Sequence, residues 1–199
     1  MLHRLPTRVL LASLVAFVPL SSCASIKPPR EASVEGLGVG RLKQVNPLDV
    51  VVLPVENHSG RTGLPLDTMR REFQEGLVKL RYSPLALDYV DRQVVEATYN
   101  PGDLREQAVL QVYVTGWDDR LWSTHTRLII DAEVFLLDAR NPEAGQALWG
   151  GKVSRRLDLG RERAAIATDE RLLARAVEDF VQDVLSTLPA RNPQLSPPR

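Results

Sequence analysis

Residues that could do chemistry are few and scattered. The chain has one cysteine, Cys23, and three histidines, His3, His58 and His125. Neither His58 nor His125 has a second histidine close to it in sequence. No HExxH or other metal-ligand spacing occurs, so no metal site is expected and each histidine reads as a hydrogen-bonding loop residue. Nucleophilic catalysis needs a nucleophile, a base within reach and a group that orients the base. The sequence has no GxSxG, and its one cysteine stands just after an amino-terminal apolar run, away from any candidate base. No catalytic residue is expected. Paired carboxylates could do acid–base work if one were desolvated. Asp118 and Asp119, however, sit beside turn residues, and Asp131 and Glu133 share the wetter face of an alternating strand with Arg127. An enzyme would need a cleft holding Asp118, Asp119 or His125 beside a desolvated partner. Ser59-Gly60-Arg61-Thr62-Gly63 follows a strand and precedes a helix, the place of a phosphate loop. It lacks the Lys-Ser/Thr of a P-loop and the GxGxxG of a dinucleotide site, so it reads as a loop that partners can touch. Trp117 and Trp122 flank Asp118-Asp119-Arg120. Tryptophans are favoured contact residues, but these two equally suit sealing the end of a sheet. The candidate contact set is Asn57, His58, Arg61, Trp117 and Trp122.

With 25 basic and 25 acidic side chains in 199 residues the net charge is zero, which argues against a basic nucleic-acid binder; no nucleic-acid partner is expected. A 44% hydrophobic content is enough for one sizeable core. Arg4 and Arg8 precede an apolar run, Val9 to Leu20, of 12 residues. A membrane-spanning helix needs roughly 20, so the run fits a secretory signal over residues 1–22. Leu20-Ser21-Ser22-Cys23 resembles the bacterial lipoprotein signal, in which a leucine and two small residues precede a cysteine. That resemblance implies a thioether-linked diacylglyceryl group on Cys23, cleavage before it, and acylation (palmitate) of the new amino terminus. No other cofactor is expected. Each buried methylene contributes about 0.8 kcal/mol, so two or more chains make a stable anchor. Ala24 and Ser25 follow the cysteine, and the absence of aspartate there implies sorting to the outer membrane.

Residues 23–45, with Pro28-Pro29 and Gly36, Gly38 and Gly40, read as a lipidated flexible tether. Residues 46–188 read as one periplasmic domain, and the proline-rich 189–199 as a disordered tail. Within the domain, Leu48 to Val55 is a β-branched run suited to a buried strand, with Pro54 expected to stop its pairing. Asp67 is placed to cap a helix carrying Met69, Phe73, Leu77 and Leu80 at helical spacing. Pro84 to Asp88 reads as a weak strand and Tyr89 to about Thr98 as a short helix. Three longer strands follow, with period-two alternation through Ala108–Thr115, Arg127–Leu137 and Ala147–Leu157. Ala147, Trp149, Val153 and Leu157 are assigned to one face. Leu172, Ala176, Phe180, Val184 and Leu188 then mark a helix capped by Thr168 or Asp169. The order of elements predicts an α/β (α+β) fold with a single mixed sheet and helices packed on it.

Val50-Val-Val-Leu-Pro-Val-Glu-Asn-His-Ser-Gly60 resembles the opening strand and loop of the TolB amino-terminal-like group, which includes CsgG and LpoB. Tyr82-Ser-Pro-Leu-Ala-Leu-Asp-Tyr-Val-Asp-Arg92, the long strands and Gly145-Gln-Ala-Leu-Trp-Gly-Gly151 resemble a family of uncharacterised Gram-negative outer-membrane lipoproteins with that fold. The resemblance spans about Leu48 to Leu188. It implies no enzymatic activity and a role in assembly or regulation of envelope machinery, through other envelope proteins and a homo-oligomer as admissible partners. The alternative is a ligand-binding auxiliary lipoprotein of a lipid or solute transport system, which would call for a large apolar cavity under the sheet.

Overall fold

Val50, Val51 and Val52 are fully buried, and they contact two separate apolar clusters, Val50 and Val52 the larger and Val51 the smaller. A strand buried on both faces must lie inside a sheet. In the computed structural model, which describes residues 39–96, 99–141, 147–160 and 168–195, this strand is β1 (Asp49–Val52). The other elements are α1 (Val39–Val45), β2 (Glu56–Asn57), α2 (Leu66–Lys79), β3 (Ser83–Pro84), α3 (Leu87–Glu96), β4 (Ala108–Asp118), α4 (Trp122–His125), β5 (Arg127–Asp138), β6 (Ala147–Asp158) and α5 (Asp169–Leu185). They form one mixed sheet of six strands in the order β3-β1-β4-β5-β6, with β2 also paired to β4. Pairing of β1 with β3 and of β1 and β2 with β4 is parallel, and β4-β5-β6 is antiparallel. The expected fold class is the observed one.

One face of the sheet carries the large core. Leu42 of α1, Met69, Phe73 and Leu77 of α2, and Ala176, Phe180 and Val184 of α5 pack there against Leu110, Ile130, Leu136 and Trp149. Among the described residues, α3 covers the opposite face at the β1–β4 end, where Val90 meets Val51 and Val109. Along β5 every second residue is buried and its neighbours are half exposed, the signature of a strand with one wet side. On that side Lys152 pairs with Glu133 at 2.8 Å and Ser154 bonds Asp131, so these carboxylates are cross-strand partners on a solvated face.

Several local expectations need correction. Pro54 does not end the first strand's pairing. Val52 is level with Leu110 and Glu56 with Tyr113, so three residues of one strand face two of the other and pairing resumes as β2. This is a bulge, which tolerates the missing N–H. The second strand is only Ser83–Pro84, and α3 starts at Leu87. Asp67 lies in the first turn of α2 behind Pro65 at the cap position, with no side-chain cap bond. A bulge at Leu148 places Ala147 opposite Leu137 on the wet face and Trp149 opposite Leu136 in the core, so Ala147 leaves the row assigned to it.

The domain is also longer than 46–188. Residues 39–45 of the expected tether form α1, with Leu42 buried. Residues 189–195 of the expected tail are docked. Arg191 N–H donates to the Leu80 carbonyl at 2.9 Å, and the Asn46 and Asn192 segments exchange hydrogen bonds of 2.8 and 3.2 Å. The Tyr82 hydroxyl donates to the Pro189 carbonyl at 2.8 Å. Burial pushes the Tyr82 phenol up to about 12, against a smaller opposing pull from Arg191. A phenol with a raised pKa favours the folded, protonated state. That contribution is complete below pH 10, the unfolded value, and is lost as pH rises through 12. Unfolding measured across this window should show stability falling. Tyr82→Phe should flatten the part of the fall due to this group, at a cost of about 1 kcal/mol at neutral pH for the lost hydrogen bond.

Before β4, a second buried polar device orders the chain. Glu106 is 2% exposed. Its carboxylate accepts from Gly102 N–H at 2.7 Å, Leu104 N–H at 3.0 Å and the Tyr99 phenol. Burial and the bond to Glu106 push the Tyr99 phenol upward.

Candidate functional site

The five contact candidates lie at one end of the sheet. Parallel pairing carries β2 along β4, so Asn57 sits level with Val114 and the loop after it projects past that end. The β4–α4 turn projects at the same end, because Asp118 is opposite Ile129 near the start of β5. The two loops are joined by an ion pair between Arg61 and Asp119 at 2.6 Å.

Each loop is also organised internally. Asn57 donates to the Arg61 carbonyl at 2.6 Å and accepts from the backbone N–H and hydroxyl of Ser59 at 3.1 and 2.8 Å. This is asparagine-based turn geometry. His58 contacts Glu56 at 3.1 Å, and its ring lies tilted by 38° against that of Tyr113 with centroids 5.2 Å apart. Arg120 grips Asp118 through two nitrogens at 2.9 and 2.7 Å. These bonds hold the Asp118 carboxyl down to about 2. His125 bonds Thr124 at 2.8 Å. Thr126 follows in the left-handed region, φ 51°, and closes α4.

Asn57, His58 and Arg61 are exposed, whereas Trp117 and Trp122 are half buried and pack against the large core. A bulge explains Trp117. Thr115 is the extra residue between Val114 and Gly116, which puts Trp117 opposite Ile130 on the core side. Uninterrupted alternation would have turned it outward. Both tryptophans thus rest on the core with part of each side chain exposed beside the loops. Sequence reading missed Leu121, an apolar side chain 43% exposed at the tip of the turn. Its only signal was its place between Arg120 and Trp122, too slight to single out.

The carboxylates here have partners. Asp119 is bound by Arg61, Asp118 by Arg120, and Asp158 by Arg127 at 3.0 Å. Among the described residues no group of three His, Cys, Asp or Glu could hold a metal. No described helix is long and apolar enough to cross a membrane. Leu20, Ser21, Ser22 and Cys23 lie outside the described residues.

Two grooves mark the surface. One, about 370 Å³, runs between α2 and α5 with Gly76, Leu80, Val181 and Leu185 in it and Glu72 and Lys79 at its margin. Burial and the neighbouring Glu75 and Glu178 raise the Glu72 carboxyl. The other, about 280 Å³, lies between the end of β6 and α5 and holds Asp158, Asp179 and Asp183.

No family model matches the chain, and no curated protein matches it. Among solved structures it is similar to the PelC dodecamer from Paraburkholderia phytofirmans, at 14% identity over 81% of this chain and 99% of that one, with a TM-score of 0.50. It is also similar to lipoprotein GNA1162 from Neisseria meningitidis, at 20% identity over 71% and 100% of the two chains, TM-score 0.47. A third similar structure is a DUF4136 family protein from Bacteroides thetaiotaomicron, at 10% identity over 77% and 96%, TM-score 0.38. The first likeness shows a common fold.

Proposed function

We propose that this chain is a non-enzymatic envelope lipoprotein, held through acylated Cys23 in the outer membrane, whose periplasmic domain binds other envelope proteins in assembly or regulation of outer-membrane or secretion machinery. The observation that carries the reading is the joining of the Asn57–Arg61 loop to the Asp118–His125 turn by the Arg61–Asp119 pair. Two segments that are remote in sequence make one fixed, exposed surface with Leu121 at its tip. Fixed loops on a rigid sheet are the usual form of a recognition surface. The Leu20-Ser21-Ser22-Cys23 motif supports the anchor, and the carboxylates already paired with arginines support a binding rather than a catalytic role. The TolB amino-terminal-like resemblance belongs to the same reading. Because its fold neighbour PelC is a dodecamer, assembly with further copies of this chain is included.

A ligand-binding auxiliary role is less well supported. The space under the sheet is filled by fully buried Phe73, Phe180, Leu110 and Ile130, and the apolar groove between α2 and α5 is open to the surface.

Crosslinking in intact cells followed by capture tests the reading. Specific envelope proteins should be recovered with the wild type and lost when Arg61→Glu breaks the surface. Equal recovery from both would overturn the assignment of that surface. Cys23→Ala should move the protein from the membrane to the soluble periplasmic fraction, and continued membrane fractionation would overturn the anchor.

A further inference from the structure

Three segments remote in sequence meet at the end of the sheet where β1 begins. Asp49 is level with Ser83, so the end of α1, the end of α2 and the chain after Leu188 all arrive there. Hydrogen bonds tie them together, from Arg191 N–H to the Leu80 carbonyl at 2.9 Å and from Asn46 Nδ2 to the Asn192 carbonyl at 2.8 Å. What this junction presents to solvent is basic. Lys43 stands three residues before Asn46, Lys79 and Arg81 flank Leu80, and all three are exposed. Leu195, in the turn that starts at Asn192, is 60% exposed, and Val78 beside Lys79 is 57% exposed. Of the described carboxylates at this end, Glu106 and Asp138 are buried and Asp49 is half-buried. Asp138 is already paired with Arg41 and Arg140, and the exposed Asp103 accepts from Asn100 N–H at 2.7 Å, two residues from the exposed Arg105. At the other end of the sheet Arg61, Arg120 and Arg127 are each matched by an aspartate.

We propose that this junction docks on the anionic headgroups of the bilayer that holds the anchor, with Lys43, Lys79 and Arg81 on the headgroups and Leu195 entering between them. The inference rests on the anchor reading above. Two observations select a bilayer as the partner. Cations around an exposed leucine match a surface that is anionic outside and apolar beneath. The chain that leads to Cys23 also starts from this side of the domain. Helix α1 is seven residues, about 10 Å, and 15 further residues, 24–38, separate it from Cys23. Those span at most roughly 50 Å, so the anchor keeps the junction close to the membrane and raises its effective concentration there. Each cation near an anionic surface contributes about fivefold, so three together favour the docked domain by roughly a hundredfold. The Asn57–Arg61 loop and the α4 turn then face away from the bilayer.

The protein purified from membranes, carrying Leu195→Cys labelled with nitrobenzoxadiazole, tests the docking. It is incorporated into vesicles of phosphatidylcholine alone or of phosphatidylcholine with phosphatidylglycerol, and wild type taken through the same labelling is the blank. Emission from position 195 should shift to the blue in the anionic vesicles and stay unshifted in the neutral ones. The same label on Thr124→Cys, in α4, should shift in neither. Adding Lys43→Gln, Lys79→Gln and Arg81→Asn should weaken docking about a hundredfold and abolish the shift. Asparagine is chosen at Arg81 because φ there is 68° and asparagine tolerates that region. About 0.5 M salt, where the Debye length falls to roughly 4 Å, should abolish the shift without any substitution. Association with the neutral vesicles reads the anchor alone, so a failed anchor leaves the protein in solution there, while the shift in anionic vesicles reads the junction. No shift in the anionic vesicles, or an equal shift in both, would overturn the proposal. A shift at position 124 in place of 195 would put the other end of the sheet on the membrane. Crosslinking of the junction to an envelope protein in cells, with no shift on vesicles, would assign it to an acidic protein instead.

Discussion

Gly150→Ala should cost about 3–5 kcal/mol or prevent soluble accumulation, because backbone strain and a clash with backbone atoms coincide at this residue. Gly150 has φ 133°, a conformation that side-chain-bearing residues rarely adopt. A Cβ there would strike the Val134 carbonyl oxygen and lie 2.7 Å from Phe135 Cα and 2.9 Å from the Val134 carbonyl carbon. All three are backbone atoms of β5, in the middle of the antiparallel ladder, and cannot swing aside like the end of a side chain. The register cannot slip to make room, because Val153 and Leu157 beyond the glycine and Trp149 before it are all buried. A one-residue shift would turn that set toward water. Urea unfolding followed by tryptophan fluorescence would read the effect. A midpoint unchanged from wild type would mean that β5 and β6 are not in this register.

Arg70 carries the second large effect. It lies on α2 and is 5% exposed. Its Nε and Nη2 donate to the Val52 carbonyl at 3.0 and 2.8 Å, and Nη1 meets Asp91 of α3 at 2.5 Å. Strand β3 ends at Pro84, opposite Val50, so no third strand residue faces Val52. The guanidinium takes the place of the missing strand there and ties α2, β1 and α3 together. Arg70→Met keeps much of the buried stem but leaves the carbonyl without a donor and Asp91 without a cation. Asp91 is half exposed and can rehydrate, so the loss falls mainly on the carbonyl and the packing around it, about 2–4 kcal/mol. Arg70→Lys should lie between, since an ammonium can reach one acceptor but lacks the fork. Denaturant midpoints for the two variants, with Asp91→Asn as the third corner, would separate the carbonyl bond from the ion pair. A Met variant as stable as the wild type would remove Arg70 from the account of the fold.

These two residues also show where the sequence stopped being legible. Alternation in Arg127–Leu137 identified β5, because each apolar side chain reports the face it occupies. The apolar stripe of α5 did the same at helical period. Arg70 gave no such signal. A basic residue beside Arg71 on a helix ordinarily faces water, and only the early end of β3 gives it a buried acceptor. The bulges at Thr115 and Leu148 were also hidden, since one inserted residue leaves the composition of a strand unchanged while reversing everything after it. That inversion put Trp117 on the core side of β4, although its type suits a surface contact or a core seal equally well. Of the contact surface, the Ser59–Gly63 loop could be read from its position between strand and helix. Its link to Asp119 could not, because ion pairing between residues 58 positions apart is a property of the sheet order.

The reciprocal hydrogen bonds between Asn46 and Asn192 bear on how the molecule can be tagged. They bring the carboxyl-terminal segment to the loop between α1 and β1, at the end of the sheet where Asp49 lies. The Asn57–Arg61 loop and the α4 turn lie at the opposite end of β5, a 12-residue strand that spans roughly 37 Å. An affinity handle or fluorescent protein fused after Leu195 would stand clear of those loops, so capture through it should leave them open to whatever they bind.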